Sequence, residues 1–553
     1  MTLLLLGGVF FFSACSDDFL NRILQDAPGP DNFLKDEASA KQLVVTAYSP
    51  WVQETQMYGK RFITICDGLT DDSGIRFGPS YIQNWDILPI QGDDYPSDWW
   101  KFAYQSVNAA NYAIEQIPKL KDMGFSDTQI DPYIAEARFL RGFDYLFLTT
   151  FYGDVPLITE PLTSFAEFSK PRVAVADVFE QIISDFTFAK DHLTTDGGGY
   201  KGTPTQATAA AYLAKAYLYK KDYPACETAA RAAITLAEAT GYQLIDDYAS
   251  IFDQNNEANP ELLFYFAFEA NKSINGTNDG NCWSVERGIR SGERGLPLEF
   301  RPIVQGQEGW GYALPTRNLY DAFEDGDPRR TATIFAPGDD YGVYNGSSPF
   351  PYQQITYISG VLTTTDVTYR PGDMVKYEFQ WSPTGMNVKK LVENTTGINF
   401  RMAGLDAPLL RMADLYLFLA EALAEQEKDE ALVWVNKVRK RAFGDDAHAK
   451  TKADGSLRDI VRHERRVELA MEGHRIFDLF RWDAIKKIFG NGGEQKVKLH
   501  FFSDERGGAI DGENGMFKTA VGLKKYPTDH ILFPIPQYEM DQNAAITSNN
   551  PGY

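Results

Sequence analysis

The chain has 553 residues, 44% hydrophobic and 24% charged, with a formal net charge of −22. That is ample for a sizeable core, and although the length allows several domains, superhelical folds of this size form one unit. The acidity excludes a nucleic-acid partner, because phosphate binding needs a basic surface that releases counterions. It reads instead as a solvated surface, while 29 Tyr, 37 Phe and 9 Trp leave rings to spare for recognition.

The first residues, MTLLLLGGVFFFSACSDD, give an apolar run too short to span a bilayer, followed by small residues. This is the pattern of a secretory signal over 1–14. Cys15 directly after Ser13-Ala14 resembles a bacterial lipobox, in which Cys15 becomes the lipidated first residue, although Phe12 stands where Leu is usual. Ser16-Asp17-Asp18 resembles the acidic signal that sends lipoproteins to the cell surface in Bacteroidetes-type bacteria. Cys66, Cys226 and Cys282 form no C-x-x-C pair and no disulfide framework. HERRV, from His463, begins like a zincin motif, but Val467 stands where the second histidine must be, so neither metal nor cofactor is expected.

Helical periodicity then dominates two blocks. Asp98 is a plausible N-cap for WWKFAYQSVNAANYAIEQI, in which only one of Trp99 and Trp100 can face outward. YIAEARFLRGFDYLFLTTFYG predicts a long helix ended by Gly153, and VADVFEQIISDFTFAKDHL a further one closed by TTDGGGYKGTP. ATAAAYLAKAYLYKKDYPACETAARAAITLAEA can be laid over ADLYLFLAEALAEQEKDEALVWVNKVRKRA, with Ala214, Ala216 and Ala225 falling on Ala420, Ala422 and Ala431. Each copy reads as helix, tight polar turn, helix, the pattern of tetratricopeptide-like hairpins. Long irregular segments cover Cys66 to Asp98, Asn271 to Thr316, and Ala336 to Asp406; the last predicts a β-hairpin in TTTDVTYRPGDMVKYEFQW turning near Pro371-Gly372. Loops this long in a compact protein are usually functional.

Seven ordered stretches together resemble the SusD/RagB family. They are AEARFLRGFDYLFLTTFYGDVPL, PRVAVADVFEQIISDF, AAAYLAKAYL, LLRMADLYLFLAEALAE, NKVRKRA, ERRVELAMEGHRIFDLFRW and the terminal ILFPIPQYEMDQN to NNPGY. The resemblance implies a mainly α-helical protein: an α-α superhelix of about four tetratricopeptide-like helix pairs, with long irregular loops and a small β-hairpin region. It implies a signal peptide at 1–14, an N-terminal helical region at 15–245 and a C-terminal region at 246–553, in one compact unit. It further implies a lipid-anchored protein of the outer membrane, facing outward, that captures a glycan (or, in some members, a peptide). The ligand then passes to a SusC-type TonB-dependent transporter, with no catalysis.

ERRVELAMEGHRIFDLFRW poses the alternative of a surface glycoside hydrolase, because Glu464, Glu468 and Glu472 recur at helical spacing on one face. A glycosidase needs two carboxyl groups straddling a sugar across a cleft, which one helix face beside Arg462 and Arg466 suits poorly. Gly473 is placed to end that helix, and His474, Arg475, Asp478 and Arg481 to cross-pair on the next, so the stretch reads as a structural brace. Ligand binding is expected in the loops, where flat rings stack on pyranose faces and polar groups bind hydroxyls. The candidates are Trp283, Trp310 and Tyr312 in the glycine-rich second loop, and Asp71, Arg76, Tyr81 and Trp85 in the first. Arg287, Arg290 and Arg294 could bind acidic sugars, but they are expected to pair with the acidic surface.

Overall fold

The computed structural model describes residues 33–52, 62–75, 95–162, 164, 167–270, 273–274, 277–278, 280–289, 300, 309–358, 361–378, 381–382, 384–393, 403–489 and 532–553. The signal segment, Cys15, Arg76, Tyr81, Trp85, Arg290 and Arg294 lie outside them. The described chain is mainly helical and is built on four helix pairs. Helix α1 (Glu37–Val52) packs on α3 (Tyr95–Gln116), with α2 (Phe62–Gly68) between them in sequence, and α4 (Asp127–Tyr152) packs on α5 (Val175–His192). The third pair is α6 (Gln206–Tyr219) with α7 (Tyr223–Ala239). Much later come α10 (Met412–Glu425) and α11 (Ala431–Phe443), preceded in sequence by the short α8 (Trp283–Arg287) and α9 (Pro328–Thr333).

The AEARFLR stretch shows why its charges sit in a helix that is otherwise core. Arg138 and Arg141 both donate to Asp185 of α5, at 2.8 and 2.7 Å, clamping α4 to its partner. Glu136 accepts Lys41 Nζ and the Tyr48 hydroxyl of α1, both at 2.7 Å, which ties α4 to the first pair. These buried charges are retained because each has a counter-charge from a neighbouring helix.

The internal echo extends to the backbone. Lys221 and Glu427, which coincide when the copies are overlaid, both adopt left-handed backbone, with φ of 61° and 58°. The N–H of the next residue reaches back across the turn in each copy, Asp222 to Tyr217 at 3.0 Å and Lys428 to Leu423 at 2.9 Å. Both hairpins therefore use the same Schellman-type closure. The copies also meet in space: α10 packs on α7, and Ala214, Ala216, Ala420, Ala422 and Ala431 are fully buried, letting the helices approach closely.

Three expectations need correction. Both Trp99 and Trp100 are buried, at 2% and 1% exposure. The C-terminal segment covers the side that one of them would otherwise show: Trp99 lies 5.9 Å from the Phe533 ring, and Trp100 donates to Glu539. The strand Val361–Tyr369 does not pair across Pro371-Gly372. It pairs over nine positions with Phe350–Ile358, while Met374–Lys376 pairs with Asp340–Val343. The longer register wins because it brings Tyr352 and Tyr369 against Phe300, with ring centroids at 5.3 and 5.0 Å. Finally, the helix α12 (Leu457–Glu468) stops at Glu468 rather than at Gly473, and the turn up to α13 (Arg475–Arg481) uses left-handed backbone at both Met471 and Gly473.

Candidate ligand-binding site

Trp310 and Tyr312 are carried by a segment strapped along both edges. On one side the N–H groups of Gly309, Trp310, Gly311 and Tyr312 donate to the carbonyls of Ile289, Val285, Gly288 and Glu286, at 2.5 to 3.1 Å. On the other, β2 (Ala313–Pro315) pairs with β1 (Ser73–Ile75), and the Thr316 hydroxyl donates to the Asp71 carbonyl at 2.6 Å. The strap lies so close to α8 that a Cβ on Gly309 would stand 2.1 Å from the carbonyl carbon of Gly288, so only glycine fits. The two rings, both half-buried, have centroids 5.2 Å apart with planes inclined by 38°. A strap hydrogen-bonded along both edges holds the backbone under the rings before any ligand arrives.

The other described candidates take different places. Trp283 is not a displayed ring: it is 1% exposed and sits edge-on to Phe268 at 5.7 Å. It opens α8, whose Val285 and Glu286 carbonyls hold the strap, so it is a core footing for that helix. Asp71 is likewise withdrawn from any ligand, at 3% exposure, with Arg475 donating to both carboxylate oxygens at 2.9 and 3.0 Å and Arg466 at 3.1 Å. Burial would raise the Asp71 carboxyl, but Arg475 and Arg466 hold it well below the usual carboxylate range.

The brace that claims Asp71 is larger than its sequence stretch. Glu464 is held by Arg329 and Arg439 at 2.5 and 2.9 Å, and Glu468 by Arg329 and Arg411 at 3.1 and 3.0 Å and by Arg441. Glu472 accepts Arg411 at 2.8 Å and Lys390 at 2.9 Å, and its carboxyl is brought down to about 2 because these cations outweigh burial. Arg465 and Arg481 converge on Asp478 and Glu421. Arg287 pairs with Asp67, whose second oxygen accepts the Gly473 N–H at 2.9 Å; burial pushes Asp67 up to about 6 against that pull. The brace thus joins α2, α8, α9 and the α12–α13 turn, and both edges of the strap stand on it. Of its distant partners only Arg411 carried a signal in the sequence, a charge in an apolar setting, as in APLLRMADLYLF; Arg329 and Lys390 each stand beside another cation.

Beneath α13 lies a cavity of about 40 Å³, lined by Phe62, Phe143, Phe147, Lys215, His474 and Phe477 among others. That is room for a few waters. Lys215 lies over Tyr212 and Tyr219, at 5.3 and 5.8 Å, with no carboxylate in ion-pair range among the described residues. Burial pushes its ammonium down from 10.5 to about 8. A pKa depressed on folding means that the charged form opposes the fold, fully below about 8 and not at all above 10.5. Lys215→Met should therefore stabilise the protein at neutral pH by about 1–2 kcal/mol, a value discounted for partial solvent access. Urea unfolding at pH 7 and above pH 10.5 checks this: the gain should fade at the higher pH.

Fold and site together define a helical-hairpin scaffold protein whose candidate site lies in loops laid over the helices. Two family models match in order along it: one described as "Starch-binding associating with outer membrane" over residues 26–218, and one described as "SusD family" over 312–553. The chain belongs to the SusD family. It is 26% identical to SusD-like protein P2 of Formosa agariphila, over 95% of this chain and 94% of that one. Among solved structures, a laminarin-binding SusD-like protein superposes with a TM-score of 0.66 at 24% identity, over 94% of this chain and all of that one (100%). Surface glycan-binding protein A from Bacteroides fluxus does so with a TM-score of 0.66 at 20% identity, over 94% and 100%.

Proposed function

We propose that this protein is an outer-membrane lipoprotein, anchored through Cys15 and facing outward, that binds a glycan without chemical change. It would deliver the glycan to a SusC-type TonB-dependent transporter. The observation that carries the reading is the Trp310–Tyr312 ring pair on its rigid strap, which suits successive pyranose faces of a chain. The family supports it, as do the printed names of a laminarin-binding and a glycan-binding neighbour. No described helix is long and apolar enough to cross a membrane.

Against hydrolysis stands the state of the nearby acids. Asp67, Asp71 and Asp72 are each held by arginine and at most 3% exposed, so none of them can face a sugar oxygen. Native electrophoresis through gels containing laminarin, starch, xylan, mannan or galactan tests the reading, with a reducing-sugar assay alongside. We expect retardation by one class of polysaccharide and no new reducing ends. Free migration in every gel overturns glycan binding, and steady release of reducing ends overturns the non-enzymatic role.

A further inference from the structure

A second ring stands on different elements. Tyr200 is the most exposed aromatic side chain among the described residues, at 61%. It follows Gly197, Gly198 and Gly199, all in left-handed backbone with φ of 68°, 66° and 79°, a sequence of conformations that side-chain-bearing residues resist. The turn is closed by the Asp196 carboxylate, which accepts the Gly198 N–H at 3.0 Å. It is also seated on the body: a Cβ at Gly197 would lie 3.1 Å from the Thr203 carbonyl oxygen, and one at Gly202 3.0 Å from that of Tyr265.

One face of the Tyr200 ring is backed by Lys41 Nζ, 5.0 Å from its centroid. That ammonium is fixed in turn by Glu136 at 2.7 Å and by the Thr203 hydroxyl at 3.2 Å. The same patch carries Tyr133, whose phenol donates to Glu37 at 3.3 Å, and Gln129, whose amide donates to the other Glu37 oxygen at 3.1 Å. The result is a preorganised ring with an open face, flanked by a carboxylate and an amide that can bind sugar hydroxyls. Lys41, the cation facing the ring, is already neutralised by Glu136.

We infer that Tyr200 is a second, separate stacking platform for a neutral polysaccharide, holding a pyranose of the same chain that occupies the Trp310–Tyr312 strap. The inference rests on the glycan-binding reading. Two contacts on one polymer raise avidity through effective concentration, whereas an oligosaccharide that fills one site gains nothing.

The test uses Tyr200→Ala and Tyr200→Phe in the same laminarin, starch, xylan, mannan and galactan gels, with calorimetry on a trisaccharide of the retarding linkage. Tyr200→Ala should weaken retardation by the polymer about tenfold and leave trisaccharide affinity unchanged, while Tyr200→Phe, which keeps the ring, should match the wild type. Equal retardation of Tyr200→Ala and wild type overturns the second platform while glycan binding stands. So does a loss shared by Tyr200→Phe, which would trace the effect to the hydroxyl. If no polymer retards the wild type, the glycan reading and the platform fall together.

Discussion

Arg411→Met should cost about 3–5 kcal/mol of folding stability, a large fraction of what a protein of this kind possesses. Arg411 is fully buried and donates to Glu261 at 2.7 Å, to Glu468 at 3.0 Å and to both oxygens of Glu472 at 2.8 and 2.9 Å, besides the Glu468 carbonyl at 3.1 Å. Removing it deprives three buried carboxylates, Glu261, Glu468 and Glu472, of a shared charged donor. Arg441 still holds Glu261 at 2.6 Å and Lys390 still holds Glu472, so the loss is large without being the sum of the broken bonds. The control is Arg317→Met, which breaks an exposed pair with Asp321 at 2.7 Å and should change stability by less than about 0.5 kcal/mol. Urea unfolding of the two variants decides the matter. A loss for Arg411→Met no greater than that for Arg317→Met would mean that the buried network does not hold the loops to the helices.

The second large effect is on binding. Trp310→Ala combined with Tyr312→Ala should weaken affinity for the retarding polysaccharide by roughly 30-fold, about 2 kcal/mol, as expected when the central rings of a recognition surface are truncated. Stability should change little, by about 1–2 kcal/mol at most, because both rings are half-buried and the strap is tied by backbone N–H groups that alanine retains. Trp283→Ala is the contrast. Its ring lies in the core against Phe268, so its removal should cost about 3–5 kcal/mol of stability. A double variant that unfolds readily yet binds as the wild type would place Trp310 and Tyr312 in the footing and move the site elsewhere.

The helices were legible because each rests on local signals. Periodicity, Gly153 at the end of α4 and the alanine-rich echo all act within a few residues of chain, and α4 ends and α6, α7, α10 and α11 fall where those signals stand. The brace was legible in kind, since arginines and glutamates at helical spacing in an apolar stretch can be buried only as pairs. Its partners were not. Glu464 meets Arg329 and Glu472 meets Lys390 across long spans of chain, and nothing local in either residue names the other.

Display against burial was equally invisible for the aromatic residues. Trp283 and Trp310 sit in the same glycine-rich loop, yet one is footing and the other is half-open, because Trp283 packs against Phe268 while Trp310 is carried on the strap. Trp99 and Trp100 were separable by helical phase, but the returning C-terminal segment buries both. The pairing of Val361–Tyr369 was settled by which register buries rings against Phe300, a contact between distant residues. By itself the sequence determined the helices, their hairpin turns and the need to neutralise the buried charges, since these follow from local propensity and desolvation. Which ring faces water, and which charge answers which, were decided only when segments far apart in the chain came together.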